Sequence, residues 1–314
     1  MADNLPIYYS KILLFGEYTL MMGSGALTVP FPQFNGRLEF TNDCTVEHSV
    51  SNSHLRKFCQ YLLGRQGDFP EGLDLDLRLF KAEIELGLYL DSNIPQGYGV
   101  GSSGVLVASV YARYAKDPLP AENNTVLARL KNYFSFMESF FHGKSSGLDP
   151  LSCYIHRPLL LSSPEKAEIV DFPYKTEEEA FSIFLLDTGM TSKTEGLVQL
   201  FLRNTEDAIY RDAVLNKVIP LNNSCIELVL SNNSRKFMED ISLLSELQLE
   251  YFAEMIPDTY KSIWRNGIDT GDYFLKLCGS GGGGYLLGFA SDFKRADKFF
   301  RNRDEKVLPV FKNS

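Results

Sequence analysis

Ile94-Pro95-Gln96-Gly97-Tyr98-Gly99-Val100-Gly101-Ser102-Ser103-Gly104, running directly into Val105-Leu106-Val107-Ala108-Ser109-Val110-Tyr111, is the stretch on which the reading of this chain turns. Glycines at 97, 99 and 101 leave a loop almost without side chains, and two serines follow. Apolar or small residues at 105, 108, 109 and 112 then repeat with the spacing of a helix packed on a core. A glycine loop opening into a helix suits phosphate. First-turn N–H groups point out of the helix, its dipole favours negative charge, and glycine lets the backbone come close to an anion. Gly99 to Gly104 also spells G-x-G-x-x-G, but that dinucleotide fingerprint needs an acidic residue closing a second strand about 20 residues on. Ala121-Glu122-Asn123-Asn124 starts a helical pattern there instead, and no G-x-x-x-x-G-K-[ST] occurs. Taken alone, the stretch could equally be a turn before an ordinary core helix. The rest of the chain has to decide.

A length of 314 residues suits two domains, and the composition is that of a globular protein. A net charge of −9, with no runs of Lys or Arg, argues against nucleic-acid or anionic-membrane partners. An anionic ligand therefore has to be held by local donors in a cleft. The five cysteines (44, 59, 153, 225 and 278) are odd in number and scattered, the pattern of reduced thiols and not of a zinc site. The start Met1-Ala2-Asp3-Asn4-Leu5-Pro6 lacks the build of a signal peptide, and no apolar run approaches the ~20 residues of a membrane span. The expectation is a soluble, cytoplasmic protein.

In chain order, residues 7–15 read as a buried strand interrupted by Lys11, either a solvent-facing edge residue or a cation aimed into a cleft. A second apolar stretch covers 26–31, helices are expected at 54–63 and 73–81, and a strand at 84–90. His48 and His54 read as surface residues. In 124–141, Leu127, Leu130, Phe134, Met137 and Phe141 make a clear amphipathic stripe. Glu138 projects close to that stripe, where a carboxylate is costly without a cation: a structural ion pair or a metal. Asp149-Pro150 has the form of an N-cap followed by proline at the first helical position. Residues 151–161, 167–171 and 181–187 read as strands, and 193–266 as mainly helical, with breaks or kinks expected at Pro220, Asn222-Asn223 and Asn232-Asn233. Strands at 273–278 and 285–290 flank Gly279-Ser280-Gly281-Gly282-Gly283-Gly284, more glycine than a hairpin needs. Close approach to a ligand or to another segment explains it better. A helix at 292–303 and a strand at 306–311 complete an antiparallel α+β pattern.

Three of these segments, in this order, resemble the GHMP small-molecule kinases, and a fourth lies between the second and the third. They are Lys11-Ile12-Leu13-Leu14-Phe15-Gly16-Glu17, the run from Pro95 to Ser103 (P-x-G-x-G-L-G-S-S in the family), and Leu277-Cys278 followed by the 279–284 glycines. The fourth, from Glu138 to Asp149, is similar to the E-x-x-x-H-G-x-x-S-G-x-D segment of mevalonate kinases. The resemblance spans nearly the whole chain. It implies an α+β two-domain fold: a ribosomal-protein-S5-domain-2-like α/β domain (1–172) and a C-terminal ferredoxin-like α/β sandwich (173–314).

It further implies ATP and Mg²⁺ as cofactors. Asp149 would be the base on a substrate hydroxyl, and Lys11 would stabilise charge on the transferring phosphoryl group. The backbone of Gly97, Gly99, Val100, Gly101, Ser102 and Ser103 would cradle the phosphates, with Gly281 and Gly282 closing from the other loop. Ser103 and Glu138 would hold Mg²⁺, while Glu17, Tyr18, Gly279, Ser280 and Thr194 would lie toward the substrate. The implied reaction is phosphorylation of a small alcohol, foremost (R)-mevalonate to 5-phosphomevalonate in isoprenoid precursor synthesis. The alternatives are another small alcohol, phosphomevalonate, or a catalytically silent nucleotide-binding regulator. Dimers occur among the resembled enzymes. The chain departs from mevalonate kinases in Tyr18, where they carry histidine, in Tyr8-Tyr9-Ser10 for A-P-G, and in Gly104 for alanine. The sugar-binding signature of galactokinases is missing.

Overall fold

The computed structural model describes residues 5–42, 45–120, 124–163, 166–173, 181–191 and 194–311, without the side chains of His142, Thr194 and Glu195. The cysteine at 44, the Ala121-Glu122-Asn123 stretch and most of the charged connector at 174–180 lie outside the described residues. Packing divides the chain into two units interleaved along the sequence. The first is Met1–Lys11, Val29–Pro95 and Gly101–Arg157; the second is Ile12–Thr28, Gln96–Val100 and Pro158–Ser314. The sequence reading has a single cut at 172/173 instead.

β1 (Tyr8–Phe15) and β2 (Ala26–Phe40), built from β-branched and aromatic residues, each contribute to both units. β2 continues to Phe40, past the end expected at Phe31. In the reversal between the two strands Gly16 has φ 110°, and a Cβ there would lie 2.4 Å from that of Ala26. Only glycine fits.

In the first unit, α1 (Val46–Gly64) is capped by the Thr45 side chain and covers the expected 54–63 helix. α2 (Leu77–Glu85) begins later than expected, because Leu75 is held extended by a bridge to Ala115 and Asp76 caps the helix. The strand expected at 84–90 is displaced too. Ile84 belongs to α2, Gly87 turns the chain at φ 88°, where a Cβ would lie 2.2 Å from the Thr41 carbonyl oxygen, and β3 (Leu88–Ser92) follows. β3 pairs antiparallel with β2, from Gly36↔Ser92 to Phe40↔Leu88. α3 (Ser102–Tyr114) follows the glycine loop, and α4 (Leu127–His142) buries Leu127, Leu130, Phe134 and Met137 as their spacing predicts.

The sharpest difference is α5 (Leu148–Ile155), where a strand over 151–161 is expected. Leu151, Cys153, Tyr154 and Ile155 are too few to fix a period, and Ser152, His156, Arg157 and Pro158 interrupt the run. What decides is packing: at Gly104 a Cβ would lie 2.9 Å from the carbonyl carbon of Asp149, so α3 and α5 meet backbone to backbone. Only the end of the run forms β4 (Leu159–Leu161).

In the second unit β4 pairs antiparallel with β2 (Ala26↔Leu161) and with β5 (Ala167–Ile169). β6 (Ser182–Asp187) leads into α6 (Thr194–Asn204), α7 (Ala208–Ala213), α8 (Ile219–Leu230), α9 (Ser234–Tyr251) and α10 (Asp258–Thr270). β7 (Phe274–Leu277), β8 (Tyr285–Ala290), α11 (Phe293–Arg301) and β9 (Lys306–Phe311) complete the unit. Its sheet runs β7-β8-β6-β9, antiparallel throughout, and β8 is buried at every residue. Phe15, Phe181, Phe237 and Phe289 cluster against it.

Pro220 and Asn222-Asn223 are not breaks. A π-helical turn (Val214–Val218) joins α7 to α8, so Pro220 falls in the first turn of α8 and the asparagines lie in its interior. Asn232 (φ 57°) and Asn233, which caps α9, do break the helix as expected. Among the described residues no helix is long and apolar enough to cross a membrane, and Cys59, Cys153, Cys225 and Cys278 are buried.

Candidate active site

Lys11 is the charged residue of a mostly apolar strand, and only 2% of it is exposed. Its Nζ lies 2.8 Å from Oδ1 of Asp149, whose side chain keeps 35% exposure, so the lysine is turned away from solvent although β1 is the end strand of its sheet. Asp149 is not the N-cap of α5. Gly147, left-handed at φ 71° with a would-be Cβ 2.2 Å from the Lys131 carbonyl oxygen, occupies that position. Asp149 stands inside the first turn, and its carboxylate is turned to the lysine instead of the helix end.

Glu138 is the carboxyl group that α4 buries beside its apolar stripe, at 3% exposure. The Ser103 hydroxyl donates to Oε1 at 3.1 Å and the Ser145 hydroxyl donates to Oε2. Ser145 is held in turn by the Gly147 N–H, which donates to its Oγ at 3.0 Å. Burial, and after it the negative charge of Asp149, push the Glu138 pKa up to about 8, against the pull of the two hydroxyls and Lys11. Among the described residues no group of three or more His, Cys, Asp or Glu side chains gathers as a self-sufficient metal cage. Magnesium is commonly bound by one or two carboxylates together with phosphate oxygens and water. Hard oxygens from Glu138 and Ser103, at a place where an unneutralised carboxylate is disfavoured, fit that ion.

Gly101 (φ 89°) caps α3 without any side-chain bond to the first-turn amides. A Cβ on Gly101 would lie 3.2 Å from Cγ of Lys11, so the helix mouth lies against the lysine stem. The first unit thus brings together Lys11, Gly101, Ser103, Glu138, Ser145 and Asp149, with Ser102 at the first helical position.

Gly97, Gly99 and Val100 belong to the second unit, where they meet the other glycine segment. A Cβ on Gly99 would lie 2.9 Å from the Cys278 carbonyl oxygen and one on Gly284 2.6 Å from the Cα of Tyr98; Gly279 also lies against Gly99. The 279–284 turn is pinned elsewhere as well. The Gly282 N–H donates to the Met255 carbonyl and the Gly284 N–H to that of Met190, each at 2.6 Å, and a Cβ on Gly281 would lie 2.4 Å from the Met255 oxygen. Of the two explanations for so much glycine, close approach to another segment is the one on view. The Gly282 N–H expected against a nucleotide is committed to protein.

Glu17 does not stand open toward a substrate. It pairs with Nζ of Lys276 at 2.6 Å, with 1% and 0% of the two side chains exposed. Tyr18 is buried against Phe201 and donates its hydroxyl to the Ser280 carbonyl. Thr194 begins α6, but its side chain lies outside the described residues. Sequence reasoning missed Lys276, Ser145, Asn222 and Asn223. Lys276 carried a signal, a lone lysine in an apolar strand like Lys11. The asparagines carried one that was read as a helix break.

No protein-family model matches the sequence, and no curated protein does. Solved structures do match, end to end. Mevalonate kinase of L. major in complex with R-mevalonate superposes with TM-score 0.68 at 15% identity, covering 98% of this chain and 95% of that one. Galactokinase of Lactococcus lactis complexed with galactose gives 0.67 at 13% identity, over 99% and 94% of the two chains. Phosphomevalonate kinase of Streptococcus pneumoniae, in complex with phosphomevalonate and AMPPNP, gives 0.59 at 16%, over 98% and 100%. The chain has the GHMP-kinase fold. The α+β layout of the two units is that of the GHMP-kinase fold over nearly its whole length, as the four sequence segments lead one to expect. At these identities the likeness is one of architecture; chemistry has to be argued from the residues.

Proposed function

We propose that this protein is an ATP- and Mg²⁺-dependent kinase that phosphorylates the hydroxyl of a small metabolite, with (R)-mevalonate the leading acceptor and 5-phosphomevalonate the product. The observation that carries the proposal is the Lys11–Asp149 pair at 2.8 Å beside a buried Glu138 that Ser103 reaches from the mouth of α3. Phosphoryl transfer asks a protein mainly for positioning and for charge where negative charge develops. Asp149 accepts the proton of the acceptor hydroxyl as its oxygen bonds to the γ-phosphorus and the bond to the departing ADP oxygen breaks. Lys11 fixes that carboxylate and offers a desolvated positive charge to the oxygen and the moving phosphoryl group. The side-chain-free turn ahead of α3 presents backbone and helix dipole to the phosphates. Glu138 and Ser103 hold Mg²⁺, which when bound neutralises charge on the phosphates.

The neighbours solved with R-mevalonate and with AMPPNP support the acceptor and nucleotide choices, as does the Glu138-to-Asp149 segment. Tyr18, in place of the family's histidine, favours a second reading, a different small alcohol or phosphomevalonate as acceptor. ADP release from ATP and Mg²⁺ against mevalonate, phosphomevalonate, homoserine and hexoses separates these. Turnover with a member other than mevalonate overturns the acceptor, and nucleotide binding without turnover of any member overturns the kinase in favour of a silent regulator.

A further inference from the structure

Tyr18 holds a backbone conformation that an aromatic residue seldom adopts, with φ 60° and ψ −47°. Such strain persists only where the surroundings over-determine it. Here they do. The Gly16 N–H donates to Oδ1 of Asn222 at 3.0 Å, whose Nδ2 donates to the Gly25 carbonyl at 3.0 Å, and the Gly25 N–H donates to Oδ1 of Asn223 at 2.9 Å. The Thr19 N–H donates to the Glu17 carbonyl at 2.6 Å, and the Glu17 carboxylate is locked to Lys276, which also donates to the Leu277 carbonyl at 2.7 Å.

What this scaffold achieves is the delivery of one hydroxyl. The Tyr18 ring is stacked 4.9 Å from Phe201 and lies 5.8 Å from Phe252, with its oxygen donating to the carbonyl of Ser280, inside the glycine turn. Lys276 lies in β7, the strand that leads into the same turn. Residues 16–18 therefore grip the turn at two points, before it and within it. We infer that Tyr18 is a positioning residue, which with the Glu17–Lys276 pair forms a strut that sets the shape of the 279–284 turn. Its bearing on turnover rests on the kinase reading above.

The test uses amide hydrogen exchange on the whole protein, which needs no activity. Tyr18→Phe removes one oxygen and leaves the ring; Glu17→Leu/Lys276→Met replaces the ion pair by apolar groups. In both, exchange across 279–284 is expected to rise at least tenfold with little change in melting temperature, and Tyr18→Phe is expected to lower kcat/KM at least tenfold. A turn whose exchange stays at the wild-type rate in both variants overturns the strut. Raised exchange in variants of a protein whose wild type turns over no alcohol supports the strut and overturns the kinase.

Discussion

Asp149→Ala is the most direct perturbation, because the carboxylate is asked to do two separable things. As a general base it contributes roughly 10²–10⁴ in kcat, which is about 3–5 kcal/mol of barrier. As the partner of Lys11 it neutralises a cation of which only 3% is exposed. Breaking a fully buried pair by removing one partner costs about 3–5 kcal/mol, but with Asp149 35% open to solvent the loss here should be nearer ~1–3 kcal/mol. Asp149→Asn keeps the shape and a hydrogen-bond acceptor while losing the base, so it should lose turnover like the alanine variant with a smaller stability loss. Lys11→Met combined with Asp149→Ala should cost little more activity than either alone, since groups acting as a unit are not additive. Turnover is read by ADP release, nucleotide binding by calorimetry and stability by urea unfolding. Wild-type-like turnover in Asp149→Ala, or a loss of ATP binding equal to the loss of turnover, would refute the assignment.

Glu138 has a folded-state pKa raised to about 8, so the stability it contributes is full below the ordinary carboxyl value and is lost as pH rises through about 8. Glu138→Gln should flatten the melting-temperature profile between pH 5 and 9, and an unchanged slope would contradict the burial argument. Mg²⁺ loading should release a proton below pH 8, seen as calorimetric heats that depend on the buffer. Gly281→Ala puts a Cβ 2.4 Å from the Met255 oxygen at φ 70° and should cost roughly 2–4 kcal/mol, from left-handed strain and the clash together. Gly196→Ala, in α6 with nothing within 4 Å, should be neutral or gain up to about 1 kcal/mol; equal effects at the two sites would sink the packing account of the turn. Asn222→Ala strands the Gly16 N–H, while the Gly25 carbonyl keeps the Ser24 hydroxyl, and should cost roughly 1–3 kcal/mol by urea unfolding.

The glycine run, the Leu127–Met137 stripe, the misplaced Glu138 and the lone Lys11 were legible in the sequence because each is a local fact: a missing side chain, a period, or a charge out of pattern. From the strand and helix pattern an antiparallel α+β second half could be read, whereas most members of the candidate site were named through the resemblance to GHMP kinases that these segments carry. After Gly147 the sequence offered both a proline at a first helical position and a strand, and the choice of α5 is settled only where Gly104 lets two backbones touch. Spacing alone did not tell that Asp149 faces Lys11 and not a helix end, a pairing that only the resemblance implied, and nothing told that Glu17 is sealed against Lys276, 259 residues away in sequence. Those pairings are set by which buried charges find each other when the chain closes. Propensity and spacing act over one or two turns, whereas the cost of an unmatched charge in the interior is settled only by the assembled core.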